Sequence, residues 1–153
     1  MSMDRVNAIY RNNEYKKLLH AIADREKDRR FCRHGLQHLL DVARIATIIA
    51  MDGSIDIKRD VIYAAALMHD TGRAVSDSAH AYYSAKLCVD ILPSCGYSQE
   101  ETALIADAVS NHGEGKDGLA GILHRADRLS RICFECAQAD KCKWDKLNGE
   151  ITL

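Results

Sequence analysis

Six side chains of metal-binding types stand where a helical chain would otherwise carry apolar residues or end an apolar row. They are four histidines and two aspartates, namely His38, His69, Asp70, His80, His112 and Asp127. Imidazole nitrogens and carboxylate oxygens are common ligands of first-row transition metals. These residue types therefore indicate metal-dependent chemistry, provided that the fold brings them together.

The sharpest signal is the segment YAAALMHDTGR, residues 63–73. An apolar run ends in His69 and Asp70, and Gly72 follows almost at once. A carboxylate at a helix C-terminus faces the negative end of the helix dipole, and an unpaired buried carboxylate is costly. A cation beside Asp70 removes this conflict, so the segment predicts a metal ion with further ligands elsewhere in the chain.

The other histidines follow the helical period. His38 precedes Val42 and Ile49 by 4 and 11 residues, which places it on the apolar stripe of its helix. His80 and His112 have similar relations to apolar residues of their own segments. One such histidine alone is usually a core residue. Four of them with two aspartates, on five predicted helices, favour one shared metal site, because buried polar groups need partners.

The elements that must position these residues are all helical. The helical period recurs in every long segment, and the only proline is Pro93. The sequence predicts an all-α, single-domain bundle of about five to seven helices. Helices are expected over about residues 4–28, 34–53, 58–69, 78–93, 98–112 and 119–139. In domain terms, an N-terminal helix within 1–28 packs on a domain of residues 29–140, and residues 141–153 form a C-terminal tail.

Two helix ends carry local signals. Ser98 followed by Glu101 is typical of a capping box, which predicts a helix start. Gly113, in the segment NHG, is expected to end that helix in the left-handed conformation.

Composition narrows the class of protein. A net charge of −1 with 28% charged residues gives no basic surface typical of nucleic-acid or membrane binding. The N-terminus lacks the apolar core of a signal peptide, and no apolar run is long enough to span a bilayer. The expectation is a cytoplasmic protein with mostly reduced cysteines and a small-molecule partner.

Three segments resemble the HD superfamily of metal-dependent phosphohydrolases. They are HLLDVARIA, ALMHDTGR and HRADRLSR, and the resemblance extends over about residues 33–131. It implies that His38, His69, Asp70 and Asp127 hold one divalent ion.

The resemblance extends to the two-metal branch of that superfamily through His80 and His112. It implies that these two histidines hold a second ion, with Asp70 bridging both. Such a pair of ions lowers the pKa of a bridging water, and the resulting hydroxide attacks phosphorus. For mixed histidine and carboxylate ligands, iron or manganese is favoured, and nickel, cobalt or zinc are alternatives.

Candidate catalytic residues accompany the ligands. Asp70 is the central one, and Arg73, three residues later, is placed to reach back over the site. His34, one helical turn before His38, is interpreted as a substrate contact, an acid for the leaving group, or a partner of a ligand. Arg33 and Arg128 are weaker candidates for phosphate contacts. The substrate expected is a small phosphate ester, such as a nucleotide.

Other functions stay open at this stage. HD-type di-iron oxygenases, such as myo-inositol oxygenase, use the same ligand set, and a non-catalytic metal-stabilised binding module is a second alternative. The cysteines Cys133, Cys136 and Cys142 form a further cluster in sequence. They are interpreted as zinc or iron–sulfur ligands if Cys32 or another residue joins them, as redox or incidental thiols, or as packing residues within a helix.

Overall fold

The computed structural model describes residues 2–143 and 148–153 of the chain. These residues form seven α-helices and no strand, which confirms the all-α prediction. The helices are α1 (Asp4–Arg11), α2 (Asn13–Glu26), α3 (Leu36–Asp52), α4 (Arg59–Met68), α5 (His80–Ile91), α6 (Gln99–Ser110) and α7 (Gly118–Leu129). Four short 3-10 turns follow α4, α5 and α7, at Thr71–Ala74, Leu92–Cys95, Cys133–Glu135 and Ala139–Lys141, and the last two both come after α7.

The core lies between α3, α4, α6 and α7. Helix α4 packs against both α3 and α6, while α7 lies on α3 and α5 lies on α6. Ala64, Ala65 and Ala66 on α4 are fully buried, and their small side chains allow neighbouring helices to approach closely. This central position of α4 carries its C-terminal residues into the middle of the bundle.

The N-terminal region contains two helices where the sequence predicted one. The chain breaks at Asn12, whose backbone is extended. The Asn12 side-chain oxygen accepts a hydrogen bond from the Tyr15 backbone N–H at 3.1 Å, and this contact caps α2. Asparagine therefore starts a new helix here, and the apolar periodicity on both sides conceals the break.

Two other predicted helix ends are wrong. Helix α6 ends at Ser110, and Gly113 is not in the left-handed region; the Asn111 side chain instead donates to the Asp107 carbonyl at 2.8 Å. Helix α7 ends at Leu129 and does not continue towards residue 139. The Ser130 hydroxyl donates to the Asp127 carbonyl at 2.6 Å and so competes with continued helical bonding.

The capping box at the start of α6 is confirmed. The Ser98 hydroxyl accepts from the Glu101 N–H at 3.1 Å, and the Glu101 carboxylate accepts from the Ser98 N–H at 3.1 Å. In the part of the chain that the structure describes, no helix has both the length and the apolar character needed to cross a membrane.

Candidate metal centre

The C-terminus of α4 is built so that His69 and Asp70 are held in place. The last carbonyls of a helix have no partner within it. Here the His69 Nδ1–H donates to the Ala66 carbonyl at 2.7 Å, and the Tyr15 hydroxyl donates to the Leu67 carbonyl at 3.0 Å. The Thr71 hydroxyl donates to the carbonyl three residues before it. Side chains thus satisfy the helix end and fix the orientation of the histidine ring.

Gly72 allows α5 to approach this turn. A Cβ atom at position 72 would overlap the His80 carbonyl oxygen and lie 2.6 Å from the Ser84 nitrogen. The Gly72 N–H donates to the Ser84 hydroxyl at 2.7 Å. The absence of a side chain at this position therefore brings the start of α5, and with it His80, next to Asp70.

One group of candidate ligands consists of His38, His69, Asp70 and Asp127, whose ligand atoms lie within 4.8 Å of one another. His38 Nε2 is 3.3 Å from Asp70 Oδ2 and 3.1 Å from Asp127 Oδ1. His69 Nε2 is 3.1 Å from Asp70 Oδ2 and 3.8 Å from Asp127 Oδ1. Two ligands ~2.1 Å from one ion are roughly 3.0–3.4 Å apart at octahedral or tetrahedral angles. The spacing is therefore suited to a single ion.

A second group consists of Asp70, His80 and His112, and shares Asp70 with the first. His80 Nε2 is 3.5 Å from Asp70 Oδ1 and 3.4 Å from His112 Nε2. Asp70 presents Oδ1 to this group and Oδ2 to the other. One carboxylate thus lies between two sets of nitrogen atoms, which is the geometry that a bridging ligand requires.

The imidazole rings are oriented for this purpose. In His69, His80 and His112, Nδ1 donates to the backbone carbonyl three residues earlier, at 2.7, 2.9 and 2.6 Å. In His38, Nδ1 lies 3.2 Å from the Ser130 hydroxyl. A hydrogen bond from Nδ1–H orients each ring, so Nε2 is the nitrogen that a metal would bind. All four Nε2 atoms face the centre.

The donor set fits a metal ion. His69 Nε2, Asp70 Oδ2 and Asp127 Oδ1 are buried and have no hydrogen-bond partner within the described residues. Leaving such atoms without a partner is costly, and a cation between them would satisfy all three.

The matching family model identifies the fold. The HD domain model matches residues 35–132, which include all six candidate ligands. This chain belongs to the HD domain family. The family consists generally of metal-dependent phosphohydrolases.

One relative extends the match beyond the domain. A Clostridium beijerinckii protein, described as uncharacterized, is 37% identical over 155 residues, which cover 97% of this chain and 99% of the relative. The similarity therefore includes the N-terminal helices and the C-terminal segment on either side of the HD domain. No solved structure gives a significant match to the chain.

Electrostatic interactions in the HD centre, which consists of the six candidate ligands, favour a bound cation. Burial lowers the pKa of His69, but the carboxylates of Asp70 and Asp127 outweigh it and raise that pKa to about 10. Burial opposes ionisation of both carboxyls, yet the neighbouring histidines hold their pKa values below the usual range. Burial and the charge of His69 lower the pKa of His112 to about 4. The site thus attracts positive charge, and a metal that binds there must displace the proton of His69.

Arg73 reaches back to the centre, as its position in the sequence suggested. Its Nε donates to Asp70 Oδ1 at 2.9 Å, and its Nη1 lies 3.8 Å from an Asp77 oxygen. The same side chain lines the cavity next to the HD centre. Arg73 therefore contacts both the shared carboxylate and the space that a substrate would occupy.

His34 lies at the edge of the centre and is paired with Glu26, which sequence reasoning missed. Both side chains are buried, and His34 Nδ1 is 2.5 Å from Glu26 Oε1. Glu26 Oε2 also accepts from the His34 backbone N–H at 2.8 Å. Glu26 ends α2 among charged residues, where no periodic pattern separates a buried carboxylate from exposed ones. The order of the residues alone contained no signal for this pair.

Sequence reasoning also missed Arg131. Its Nη2 lies 3.2 Å from His38 Nε2, and its Nη1 donates to the Arg33 carbonyl at 2.8 Å. The guanidinium of Arg33 points elsewhere and donates to the Lys27 carbonyl at 3.2 Å.

His124 supports the second ligand group from outside, because its Nδ1–H donates to the His112 carbonyl at 2.9 Å.

A cavity of about 510 Å³ lies beside the HD centre. Asp127 and His34 reach it, and the Asp127 side chain is 24% exposed. The cavity also has five basic side chains in its lining, namely Arg29, Arg73, Arg131, Lys141 and Lys143. Neither Arg33 nor Arg128 is among the described residues that line it. The candidate metal centre thus adjoins a pocket suited to an anionic small molecule.

Proposed function

We propose that this HD protein is a phosphohydrolase that cleaves a phosphate ester of a small molecule, such as a nucleotide, with metal-activated water. One observation carries the proposal: two ligand groups share Asp70, and the first of them adjoins a basic cavity through Asp127. The ligand groups suit a pair of divalent ions, and the basic side chains suit phosphate oxygens. The volume of the cavity is in the range of small-molecule sites.

The six ligands divide between two ions. In the proposal, His38, His69, Asp70 and Asp127 hold the first ion, and Asp70, His80 and His112 hold the second. Iron or manganese is the favoured metal, with nickel, cobalt or zinc as alternatives. When bound, the ions act as Lewis acids toward phosphate oxygens and lower the pKa of water.

Arg73 and Arg131 bind the phosphate group. Their planar guanidinium groups line the cavity next to the candidate ligands and can donate two parallel hydrogen bonds to phosphate oxygens. Arg73 has a second task, because its Nε–H bond to Asp70 orients the bridging carboxylate. These contacts offset the negative charge on the transferred phosphate in the transition state.

His34 is the proton donor to the leaving oxygen. Burial lowers the pKa of His34 to about 4, so its ring is neutral at pH 7 and donates Nδ1–H to Glu26. A phosphate dianion that enters the cavity raises this pKa, because it stabilises the charged imidazolium. The ring then takes up a proton on Nε2 and delivers it to the leaving group, while Glu26 holds the ring in position.

The basic cavity also favours this proposal over a di-iron oxygenase with a neutral organic substrate. Such a substrate has no need for five cationic side chains around its pocket. An oxygenase would be recognised by iron-dependent consumption of oxygen with no release of phosphate.

Metal analysis with a substrate screen tests the proposal. We expect about two transition-metal ions per chain and metal-dependent hydrolysis of at least one phosphomonoester, phosphodiester or nucleotide. Asp70→Asn should abolish both properties, whereas His20→Gln, at an exposed position outside the site, should change neither. A chain that binds two ions yet hydrolyses none of these compounds would contradict the enzymatic proposal. A chain that cannot be loaded with metal would contradict the centre itself.

A further inference from the structure

Four cysteines converge on a cavity of about 290 Å³ outside the six candidate ligands. Cys32 comes from the connection between α2 and α3, while Cys133, Cys136 and Cys142 follow α7. All four are free thiols and line the same cavity. The fold therefore unites a distant cysteine with a cluster of three, a combination that spacing along the chain does not determine.

The segment after α7 positions its cysteines with short turns. Cys136 directly follows the turn Cys133–Glu135, and its N–H bonds to the Cys133 carbonyl at 3.1 Å. Cys142 directly follows the turn Ala139–Lys141, and its N–H bonds to the Ala139 carbonyl at 3.1 Å. Both cysteines have extended backbones. This segment is not a continuation of α7, so the prediction that Cys133 and Cys136 lie within that helix is wrong.

Apolar packing contributes little to this segment. Its large hydrophobic side chains are turned to solvent, with Ile132 65% exposed and Phe134 41% exposed. A segment that buries so little apolar surface needs another source of order. A metal held by several thiolates supplies this order, since the binding free energy of the metal becomes folding free energy.

The charges around the cavity suit thiolates. Arg30 and Arg131 line it together with one carboxylate, that of Glu135, and the two guanidinium groups can offset the negative charge of a thiolate-ligated centre.

The separation of the sulfur atoms distinguishes between possible metals. A tetrahedral zinc site with Zn–S bonds of ~2.3 Å requires every pair of sulfurs to be roughly 3.8 Å apart. Among the described residues, no three cysteine sulfurs lie within 4.8 Å of one another, whereas the candidate ligands of the HD centre do. An iron–sulfur cluster has its own iron and sulfide atoms between the cysteines, so it needs a wider cage.

We propose that Cys32, Cys133, Cys136 and Cys142 ligate one 4Fe–4S cluster. The proposal does not depend on the phosphohydrolase activity. Its location has a structural consequence, because Cys32, Cys142 and Arg131 line both this cavity and the basic cavity of the HD centre. The cluster would cross-link the connection before α3 to the segment after α7 and thereby fix one wall of the neighbouring pocket.

The test is the acid-labile sulfide content of the full chain purified without oxygen. Sulfide is decisive because the histidine and carboxylate centre can hold iron but contains no sulfide. We expect about four sulfides per chain and visible thiolate-to-iron absorption. Asp70→Asn should lose the metal of the HD centre and retain the sulfide. Cys136→Ser and Cys142→Ser should each lose most of the sulfide, whereas Cys95→Ala, at a buried cysteine outside both cavities, should retain it.

A second measurement covers the case in which the serine variants fail to fold. Cys136 is exposed, so iodoacetamide should alkylate it rapidly once the wild-type cluster has been removed, and slowly while the cluster is present. Peptide mass spectrometry reports this difference without any substitution. Stoichiometric zinc in place of sulfide, a disulfide among the four cysteines, or equal alkylation in both states would each overturn the proposal.

Discussion

Two charged clusters of this protein differ in how completely their polar atoms are paired. In the first, Arg5 on α1 donates five hydrogen bonds, to Asp60 on α4, to Glu101 on α6 and to the Gly96 carbonyl, at 2.5–3.2 Å. Lys58 adds a contact to Glu101 at 3.1 Å. Two cations thus meet two carboxylates, and the Arg5 hydrogen bond lowers the pKa of Glu101 to about 2.

The HD centre is more deeply buried and less completely paired. It also contains two carboxylates, Asp70 and Asp127, but each has a buried oxygen without a hydrogen-bond partner in the described chain. Equivalent residue types therefore serve different purposes in the two places. The paired Arg5 cluster attaches the N-terminal helix to the bundle, whereas the incompletely paired cluster keeps its binding capacity for a ligand of opposite charge.

The largest expected effect is a loss of catalytic activity, which should follow substitution in the HD centre but not in the Arg5 cluster. Asp70→Asn should lower kcat/KM by about 10³-fold or more, which corresponds to ~4 kcal/mol of transition-state stabilisation, because it removes the carboxylate that both groups of candidate ligands share. Kinetics with a substrate found in the screen, together with metal analysis, measure this loss.

Asp60→Asn is the matched control, because it removes a carboxylate from the Arg5 cluster. It should lower the free energy of unfolding but leave kcat/KM of the folded protein within about two-fold of the wild-type value. If Asp70→Asn kept full turnover, or if both variants lost turnover equally, the contrast between the clusters would be refuted.

Metal binding should stabilise the protein through the HD centre and not through the Arg5 cluster. Free metal at 100 times its Kd should raise the free energy of unfolding by ~2.7 kcal/mol, since the ion binds the folded state. Denaturant unfolding with metal and with a chelator measures this increment. It should be equal in the wild type and in Arg5→Met but absent in Asp70→Asn, and a smaller increment in Arg5→Met would show that the clusters are coupled.

Arg5→Met should lower the free energy of unfolding by about 2 kcal/mol, because it leaves two partly buried carboxylates with fewer charged hydrogen bonds. Lys17→Met is the control. Lys17 pairs with Glu14 on the surface, where both side chains are more than two-thirds exposed, and its loss should cost at most ~0.5 kcal/mol. Equal losses in the two variants, measured by urea unfolding, would contradict a structural role for the Arg5 cluster.

The sequence predicted those features of the molecule that depend on helical periodicity. Helical spacing placed His38 on a buried face, and the apolar run of α4 pointed to the turn that carries His69 and Asp70. The family resemblance supplied the order of the ligands, and the family match confirms the resemblance. The convergence of His80 and His112 on Asp70 was an expectation of the sequence, and in the structure Gly72 permits it by letting α5 approach.

The unpredicted parts depend on long-range pairing. Arg5 is 55 residues from Asp60 and 96 residues from Glu101, and no local pattern relates these positions. Glu26 and Arg131 lie at or beyond helix ends, where hydrophobic periodicity gives no information. Side-chain bonding decided the break at Asn12, and several polar residue types can take that role, so the residue type alone does not mark the break. Hydrophobic periodicity determines which face of a helix is buried. Which distant side chains pair with each other depends on the tertiary arrangement of the helices.

The smallest expected effect concerns pH and the chelated protein. Burial and the charge of His69 lower the pKa of His112 to about 4 in the folded state, whereas an unfolded histidine titrates near 6.5. As the pH falls from 6.5, the unfolded chain binds a proton at this residue and the folded chain does not, so stability is lost. The loss of stability from His112 between pH 6.5 and 5.5 should be about 1 kcal/mol.

Urea unfolding at several pH values measures how the free energy of unfolding changes with pH. His112→Gln should remove its part of that slope, while His20→Gln, outside the HD centre, should keep the wild-type slope. An unchanged slope in His112→Gln would mean that this ring is not held neutral at the centre, and its lone pair would then be unavailable to a metal.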